Sequence, residues 1–418
     1  MIRYVPTGLL LGFLLLMACS TREKSDVVQP ILVGAAAAPV NPPIGAFIAG
    51  DKQNRKFISI HDSLYAKAVV VKKDSSVVAI ITIDCIGLLF PDVERIRAIA
   101  SAETGIATNR IIVSSTHTHA GPDVVGLWGT DYQHSGVDSV YQNFLIETAA
   151  AQVVRAFTLL QPVIARSAET QFGEPWVQNI CDEEIDRSVT TLQFINPDGQ
   201  SVATLTNFAC HPTFLDARYS EVSADYVQGF YKAMDQSLGG ENLFLQGAIG
   251  GWIQPVDEGT FDRAFQRGRE LAAATLTSYQ ASDTLSIDAI RLRSERVRFP
   301  VENAAWKQLA AIGTIQRTIT DSVETELTWF AIGPAQFATH PGETAPYFGL
   351  ETKRMMGSGP RFVLGLANDA LGYILKPVYF DDKTKPHAEY LTSMSVGKPT
   401  GPLILEKLSK LIPQVPQP

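Results

Sequence analysis

Three separated stretches of this chain follow one pattern. In each, an apolar run that reads as a buried strand feeds directly into a histidine beside a chain-breaking residue. Arg110-Ile111-Ile112-Val113 leads into His117, His119 and Gly121-Pro122. Ser201-Val202-Ala203-Thr204-Leu205-Thr206 leads into His211-Pro212. Phe337-Ala338-Thr339 leads into His340-Pro341-Gly342-Glu343. A fold that gathers strand ends at one edge of a sheet brings such tips together, as α/β folds do. In an extended segment residues i and i+2 point the same way, so His117 and His119 can face one small volume. A His-x-His pair alone is a weak signal, since loop histidines often serve only as hydrogen-bonding groups. Three strand ends offering His or Glu form the ligand set that catalytic zinc prefers.

Strands and helices interleave along the chain. Leu64–Val71 and Ser76–Ile83 read as paired strands around Lys73-Asp74-Ser75. Pro91–Glu103, Val140–Leu160, Ala224–Ser237 and Thr260–Tyr279 read as helices. Further strands are expected at Val163–Ala168, Val189–Ile195, Val202–Phe208, Asn242–Gln246, Thr328–Phe337 and Arg361–Leu366. This alternation argues an α/β fold, a layered sheet-and-helix catalytic domain with its active site at strand ends. No repeat or low-complexity linker breaks the middle, so one domain over residues 33–412 with a tail at 413–418 is the simplest division.

The first residues read as a leader. Arg3 precedes the apolar Gly8–Leu16, too short to span a bilayer, which needs ~20 apolar residues. It ends in Leu16-Met17-Ala18-Cys19, similar to the lipobox of bacterial lipoproteins, in which the cysteine is lipidated and becomes the new N-terminus; an ordinary secretory signal is the alternative. The reading is a lipoprotein signal at 1–19, lipidation of Cys19, a tether at 20–32, and membrane attachment in the bacterial cell envelope. Ser20 is compatible with transfer to the outer membrane. The net charge of −8 without a basic cluster argues against nucleic acid as a partner. Protein partners are not readable. Cys85 and Cys210 read as buried small residues; with Cys181 they allow at most one disulfide.

From about Val33 to Lys410 the chain resembles the neutral ceramidases. Ser115-Thr116-His117-Thr118-His119-Ala120-Gly121-Pro122 is similar to the family's THTHSGP signature. Asn207-Phe208-Ala209-Cys210-His211-Pro212-Thr213 resembles its second histidine motif, and Pro341-Gly342-Glu343 its PGE. Gly365-Leu366-Ala367-Asn368 followed by Gly372-Tyr373 is similar to its GLxN segment ending in tyrosine, and His61–Ala66 looks like its opening strand. The resemblance implies one zinc held by His117, His211, Glu343 and Tyr373, with His119 facing the substrate as the candidate acid for the leaving amine. It also implies cleavage of the amide bond of ceramide or a related N-acyl lipid by metal-activated water. Tyr373 serves either as ligand or as hydrogen-bond donor. On residue type alone, Tyr373 would be a core aromatic and Glu343 a solvated turn carboxylate. His61 and His340 are expected to be structural or to support the ligands, and His134 to lie on the surface. Asp84, ending an apolar strand, either orients a ligand histidine or caps a loop.

The chain departs from the family at Gly251-Trp252-Ile253-Gln254-Pro255. There the family carries a GDVSP-like segment whose serine lies at the active site. Trp252 replaces the aspartate and Gln254 the serine, which puts ceramide specificity in doubt more than hydrolysis; Gln254 can still donate a hydrogen bond. The resemblance covers the catalytic part only, without the family's C-terminal immunoglobulin-like domain. The competing readings are a zinc hydrolase of a non-lipid amide or ester, and a non-catalytic surface lipoprotein that keeps the fold.

Overall fold

The computed structural model describes residues 1–2 and 30–413, apart from residues 175, 182, 217, 257 and 258. The leader core, Cys19 and the last five residues of the tail lie outside the described residues. The first strand starts at Ile31, inside the segment expected as tether.

The larger sheet contains β1 (Ile31–Pro39), β2 (Tyr65–Lys73), β3 (Ser76–Ile83), β4 (Ile111–Ser115), β5 (Gln161–Gln171), β6 (Ser188–Ile195), β7 (Ser201–Phe208) and β8 (Glu241–Gln246). Their spatial order is β8-β7-β6-β5-β1-β2-β3-β4, and the short strand Asp283–Leu285 pairs with β5. Most neighbours are antiparallel, but β3–β4 and β7–β8 are parallel. Parallel pairing keeps the C-terminal ends together within each of these two pairs. A second sheet orders β9 (Ile290–Pro300), β10 (Ser322–Ile332), β11 (Ala335–Thr339) and β12 (Arg361–Leu364), with β11 and β12 parallel.

Alternation of side chains along each strand builds the layers. On β2, Ala66, Ala68 and Val70 join the core against the helices α1 (Phe90–Thr104) and α2 (Ser139–Thr158), whereas Val69 and Val71 face the second sheet. β3 divides the same way, Ala79 and Ile81 against Val78 and Ile80. Both faces of these strands are therefore buried, which explains their unbroken apolar reading. Between the sheets Phe337 stacks on Phe330 at 4.5 Å and on Phe362 at 4.3 Å between ring centroids. Truncating such a fully buried ring costs about 3–5 kcal/mol. Helices α3 (Tyr226–Ser237) and α4 (Phe261–Ser278) pair and cover the β7–β8 side of the larger sheet. The shorter α5 (Ala304–Ala311), α6 (Pro346–Met355), α7 (Val378–Asp381), α8 (Ala388–Ser393) and α9 (Thr400–Leu411) follow, and α9 closes the outer face of the second sheet. The result is helix, sheet, sheet, helix.

One expected strand is divided, one strand was not expected, and the histidine-orienting role left open for Asp84 is removed. The strand expected at Thr328–Phe337 is two strands, β10 and β11, joined at Gly333-Pro334; Gly333 adopts a left-handed φ of 56° that turns the chain. β9 escaped notice although Ile290, Leu292 and Val297 alternate with arginines over most of its length. Asp84 touches no histidine: its carboxylate accepts the Tyr65 N–H at 2.8 Å and lies 3.3 Å from the Tyr231 hydroxyl, so it ties a strand start to α3. Among the described residues, Cys85, Cys181 and Cys210 are all free thiols and all buried. No helix among them is long and apolar enough to cross a membrane.

Candidate metal centre

The four residues that the family resemblance names as ligands come from both sheets. His117 follows β4 and His211 follows β7, both in the larger sheet. Glu343 follows β11, and Tyr373 follows β12. The sheets are joined by backbone at this edge. Asn368, with φ 66°, mimics a strand residue: its N–H donates to the Val113 carbonyl at 2.7 Å, and its Oδ1 accepts the Val113 N–H at 3.1 Å. Asn207 Nδ2 bridges the Leu245 and Val363 carbonyls, and the Gly365 N–H donates to Gln246. Glu343 and Tyr373 sit opposite each other in a short parallel pair. A buried bidentate pair, Arg317 to Asp369 at 2.7 and 3.1 Å, anchors the loop that ends in Tyr373; Asp369 also accepts the Phe90 N–H.

The imidazoles are oriented through one ring nitrogen each. His117 Nδ1 lies 2.6 Å from the Ile86 carbonyl and His211 Nδ1 2.8 Å from the Ile253 carbonyl. A carbonyl only accepts, so both Nδ1 atoms carry the proton, and in the neutral rings both Nε2 atoms bear lone pairs. These lone pairs converge on one carboxylate oxygen, Glu343 Oε2, at 3.4 Å from His117 and 3.1 Å from His211. Burial favours the neutral form of His211 and lowers its pKa. Burial would raise the pKa of Glu343, but an imidazole that carries a proton toward it outweighs burial, so positive charge at this point holds the carboxyl well below the usual carboxylate range. Three buried acceptors facing one point repel unless a cation or shared protons occupy it. The donor set therefore fits a divalent metal, and the Nδ1–carbonyl bonds are the usual supports of ligating histidines.

His119 completes a three-histidine group with His117 and His211 that can hold a metal ion. Its Nε2 is 3.3 Å from His117 Nε2, and its Nδ1 is 3.4 Å from Asp216 Oδ2. Burial opposes charge on this ring, but Asp216, with help from Glu343 and Asp225, prevails and the pKa is raised. Gly50 leaves room for it: at φ 118°, a Cβ there would lie 2.6 Å from the His119 ring. Tyr373 is buried with its hydroxyl toward Glu343; burial, then the Glu343 charge, push its pKa far above the phenol range, so the unliganded group keeps its proton.

These groups line a cavity of about 390 Å³, with His117, His119, His211, Glu343, Tyr373 and Gln254 in its wall. Trp252 is there too, at φ 61°, its ring 4.8 Å from His387 and 5.2 Å from Tyr390. Four non-glycine residues with left-handed backbone, His117, Trp252, Leu366 and His387, line this one cavity. Such strain is held only where the surrounding structure over-determines it. His340 stands apart, fully buried between the hydroxyls of Thr344 and Thr352. His61 stacks on Phe261 and bonds Asp62, and His134 is exposed beside Asp131. Sequence reasoning missed Asp216, on an irregular segment, and His387 and Tyr390, at the start of and within the short helix α8; the signal for His387 was another histidine beside a proline, here after it.

No family model matches the sequence, and no curated protein does. Solved structures do. The neutral ceramidase from Pseudomonas aeruginosa superposes with a TM-score of 0.74 at 15% sequence identity, over 92% of this chain and 74% of that one. This chain has the neutral ceramidase fold. A ceramidase complexed with C2 is similar in the same way, with a TM-score of 0.75 at 14% identity, over 92% of this chain and 75% of that one. At these identities the likeness is one of fold. The ceramidase fold accounts for the mixed sheets.

Proposed function

We propose that this protein is a zinc-dependent hydrolase of the amide bond of an N-acyl lipid, ceramide or a close relative. The observation that carries the reading is the convergence of His117 Nε2 and His211 Nε2 on Glu343 Oε2, with both Nδ1–H groups already donating to backbone carbonyls. His117, His211 and Glu343 would hold the metal, with Tyr373 beside them. A bound zinc ion would polarise the amide carbonyl and bring the pKa of a water in its open position toward ~7. The protein's own groups do the rest. His119, kept basic by Asp216, gives a proton to the leaving amine. The Tyr373 hydroxyl donates to the oxygen on which negative charge develops. Gln254 orients the acyl group from the cavity wall. The ceramidase fold supports the substrate class.

A second reading, a zinc hydrolase of a non-lipid amide or ester, is favoured by one feature: Trp252 and Gln254 stand where the resembling family carries aspartate and serine. We further propose that lipid on Cys19 holds the enzyme at the outer membrane of a bacterial envelope. The deciding experiment assays N-acyl sphingoid bases, N-acyl amino acids and simple esters, with and without chelator and zinc. Chelator-sensitive cleavage of N-acyl sphingoid bases supports the first reading; cleavage confined to the other compounds supports the second. Equal rates with and without chelator would overturn both.

A further inference from the structure

Ser223, Ala224 and Asp225 lead into α3, and all three are fully buried. This short link touches both halves of the His119–Asp216 pair. On the His119 side, the Ser223 N–H donates to the Ala120 carbonyl at 3.0 Å, and the Ser223 carbonyl accepts the Thr118 hydroxyl at 2.8 Å. These two bonds flank His119 in sequence. On the Asp216 side, Asp225 Oδ2 accepts the Leu215 N–H at 2.9 Å, while Oδ1 caps α3 through the Tyr226 N–H at 2.6 Å. The link is also tied within itself. The Asp225 N–H donates to Ser223 Oγ at 3.0 Å, and the Ser223 hydroxyl donates to Asp62 Oδ2 at 2.6 Å. Asp62 Oδ1 accepts the Ala224 N–H at 2.9 Å.

An aspartate is a costly residue for this place. Its backbone, at φ 58° and ψ −142°, lies in a region that costs a residue with a Cβ about 1–3 kcal/mol. Burial pushes its pKa up to about 7, and the neighbouring charge of Asp62 adds to the rise. Capping α3 demands neither expense, since serine, threonine or asparagine caps a helix from ordinary extended backbone. A carboxylate differs in having two acceptor oxygens, so it takes the Tyr226 and Leu215 N–H groups together. We propose that Asp225 is a positioning residue, docking the Leu215–Asp216 turn against the Thr118–Ala120 loop so that Asp216 Oδ2 meets His119 Nδ1. This inference rests on the reading of His119 as the proton donor, and it adds what fixes that donor's partner.

The test compares the full-length, zinc-loaded protein with Asp225→Asn and Ser223→Ala, each alone and combined with Asp216→Ala. Asparagine keeps one acceptor oxygen and turns an NH2 group toward one of the two N–H groups. Ser223→Ala removes the acceptor of the Asp225 N–H and leaves the backbone bonds to Thr118 and Ala120. Both variants should keep zinc and KM and lose about 10–10²-fold in kcat, the effect of a misplacement of ~1 Å. With Asp216→Ala already present, either should cost less than about twofold more, because positioning acts through the group removed. An equal loss in both backgrounds is general damage and overturns the inference. Crystal structures of the variants give a readout that needs no turnover. Asp216 Oδ2 should leave its 3.4 Å contact with His119 Nδ1 while His117, His211 and Glu343 stay in place. If the parent cleaves no amide, the hydrolase reading falls, and this displacement alone upholds the positioning role. An Asp216–His119 contact unchanged in both variants overturns it, whatever the activity.

Discussion

Glu343 Oε2 lies 3.1 Å from His211 Nε2, yet the His211 ring already donates its Nδ1–H to the Ile253 carbonyl, 2.8 Å away. Two acceptors at hydrogen-bond distance inside a buried pocket describe a place prepared for a positive charge.

The first prediction is therefore about metal content. Protein loaded with zinc should retain about one equivalent after desalting. His117→Ala and His211→Ala should lose it, and Glu343→Gln should hold it more weakly. Metal bound at a free concentration 100 times its Kd adds ~2.7 kcal/mol to folding stability, seen as a higher melting temperature. Elemental analysis showing full zinc in both histidine variants would remove this site.

Two side chains beside the ligands separate binding from rate. His119→Ala should keep its zinc and lose about 10²–10⁴-fold in kcat, the usual worth of a general acid. The acidic phenol shift needed for a bare ligand is opposed by burial and by Glu343, so Tyr373→Phe should also keep zinc and lose about 10²–10³-fold. Metal loss in His119→Ala would move that residue into the ligand set, as the third histidine of the group.

Asp84 gives a separate pH signature. Burial raises its pKa to about 6, against an ordinary value of 3.8. Its folded value is the higher one, so its contribution to stability is complete below pH 4 and lost as pH rises through 6. One pKa unit is worth ~1.4 kcal/mol, so the loss is about 3 kcal/mol. An asparagine can still accept from Tyr65 and meet the Tyr231 hydroxyl. Asp84→Asn should match the parent near pH 4 and exceed it above pH 6 in urea unfolding. Parallel profiles would show that the carboxyl is not strained by burial.

Trp252 bears on selectivity. Its left-handed backbone costs about 1–2 kcal/mol for a residue with a Cβ, which glycine would relieve. Trp252→Gly also opens the wall against His387 and Tyr390. The variant should keep its zinc, shift its ranking across the amide panel and favour bulkier amines. An unchanged ranking would mean that the indole does not meet the substrate.

The leader gives the last prediction. Cys19→Ala should release the protein from the membrane fraction or leave its leader uncleaved. A single acyl chain binds only marginally, so stable retention implies a multiply acylated cysteine. Mass spectrometry of a soluble mature protein with cleavage elsewhere would end the lipoprotein proposal.

Much of this centre was legible because its parts stand at ends of strands with strong apolar signals. His117, His119 and His211 follow runs such as Ile111-Ile112-Val113 that admit few readings. Glu343 and Tyr373 were another matter. Neither residue type nor periodicity distinguishes them from a turn carboxylate and a core aromatic; only the family resemblance singled them out, and only tertiary pairing brings them together. Asp216 and the segment carrying His387 and Tyr390 were invisible for a simple reason. Irregular backbone, or a helix of six residues such as α8, has no repeat to read, and its position is set by contacts distant in sequence, such as Asn303 Nδ2 on the carbonyls of Ser393 and Ser395.

Asn368, clasping Val113 from the opposite sheet, has a consequence for quality control. Of the proposed donors, His117 and His211 follow strands of one sheet and Glu343 and Tyr373 strands of the other, so neither sheet alone supplies the proposed set. Tight metal uptake is then a certificate of assembly: a chain whose two sheets have docked out of register keeps its histidines without the carboxylate that faces them, and holds metal more weakly. In a population of freshly folded molecules, the fraction that holds metal tightly would count the correctly closed ones.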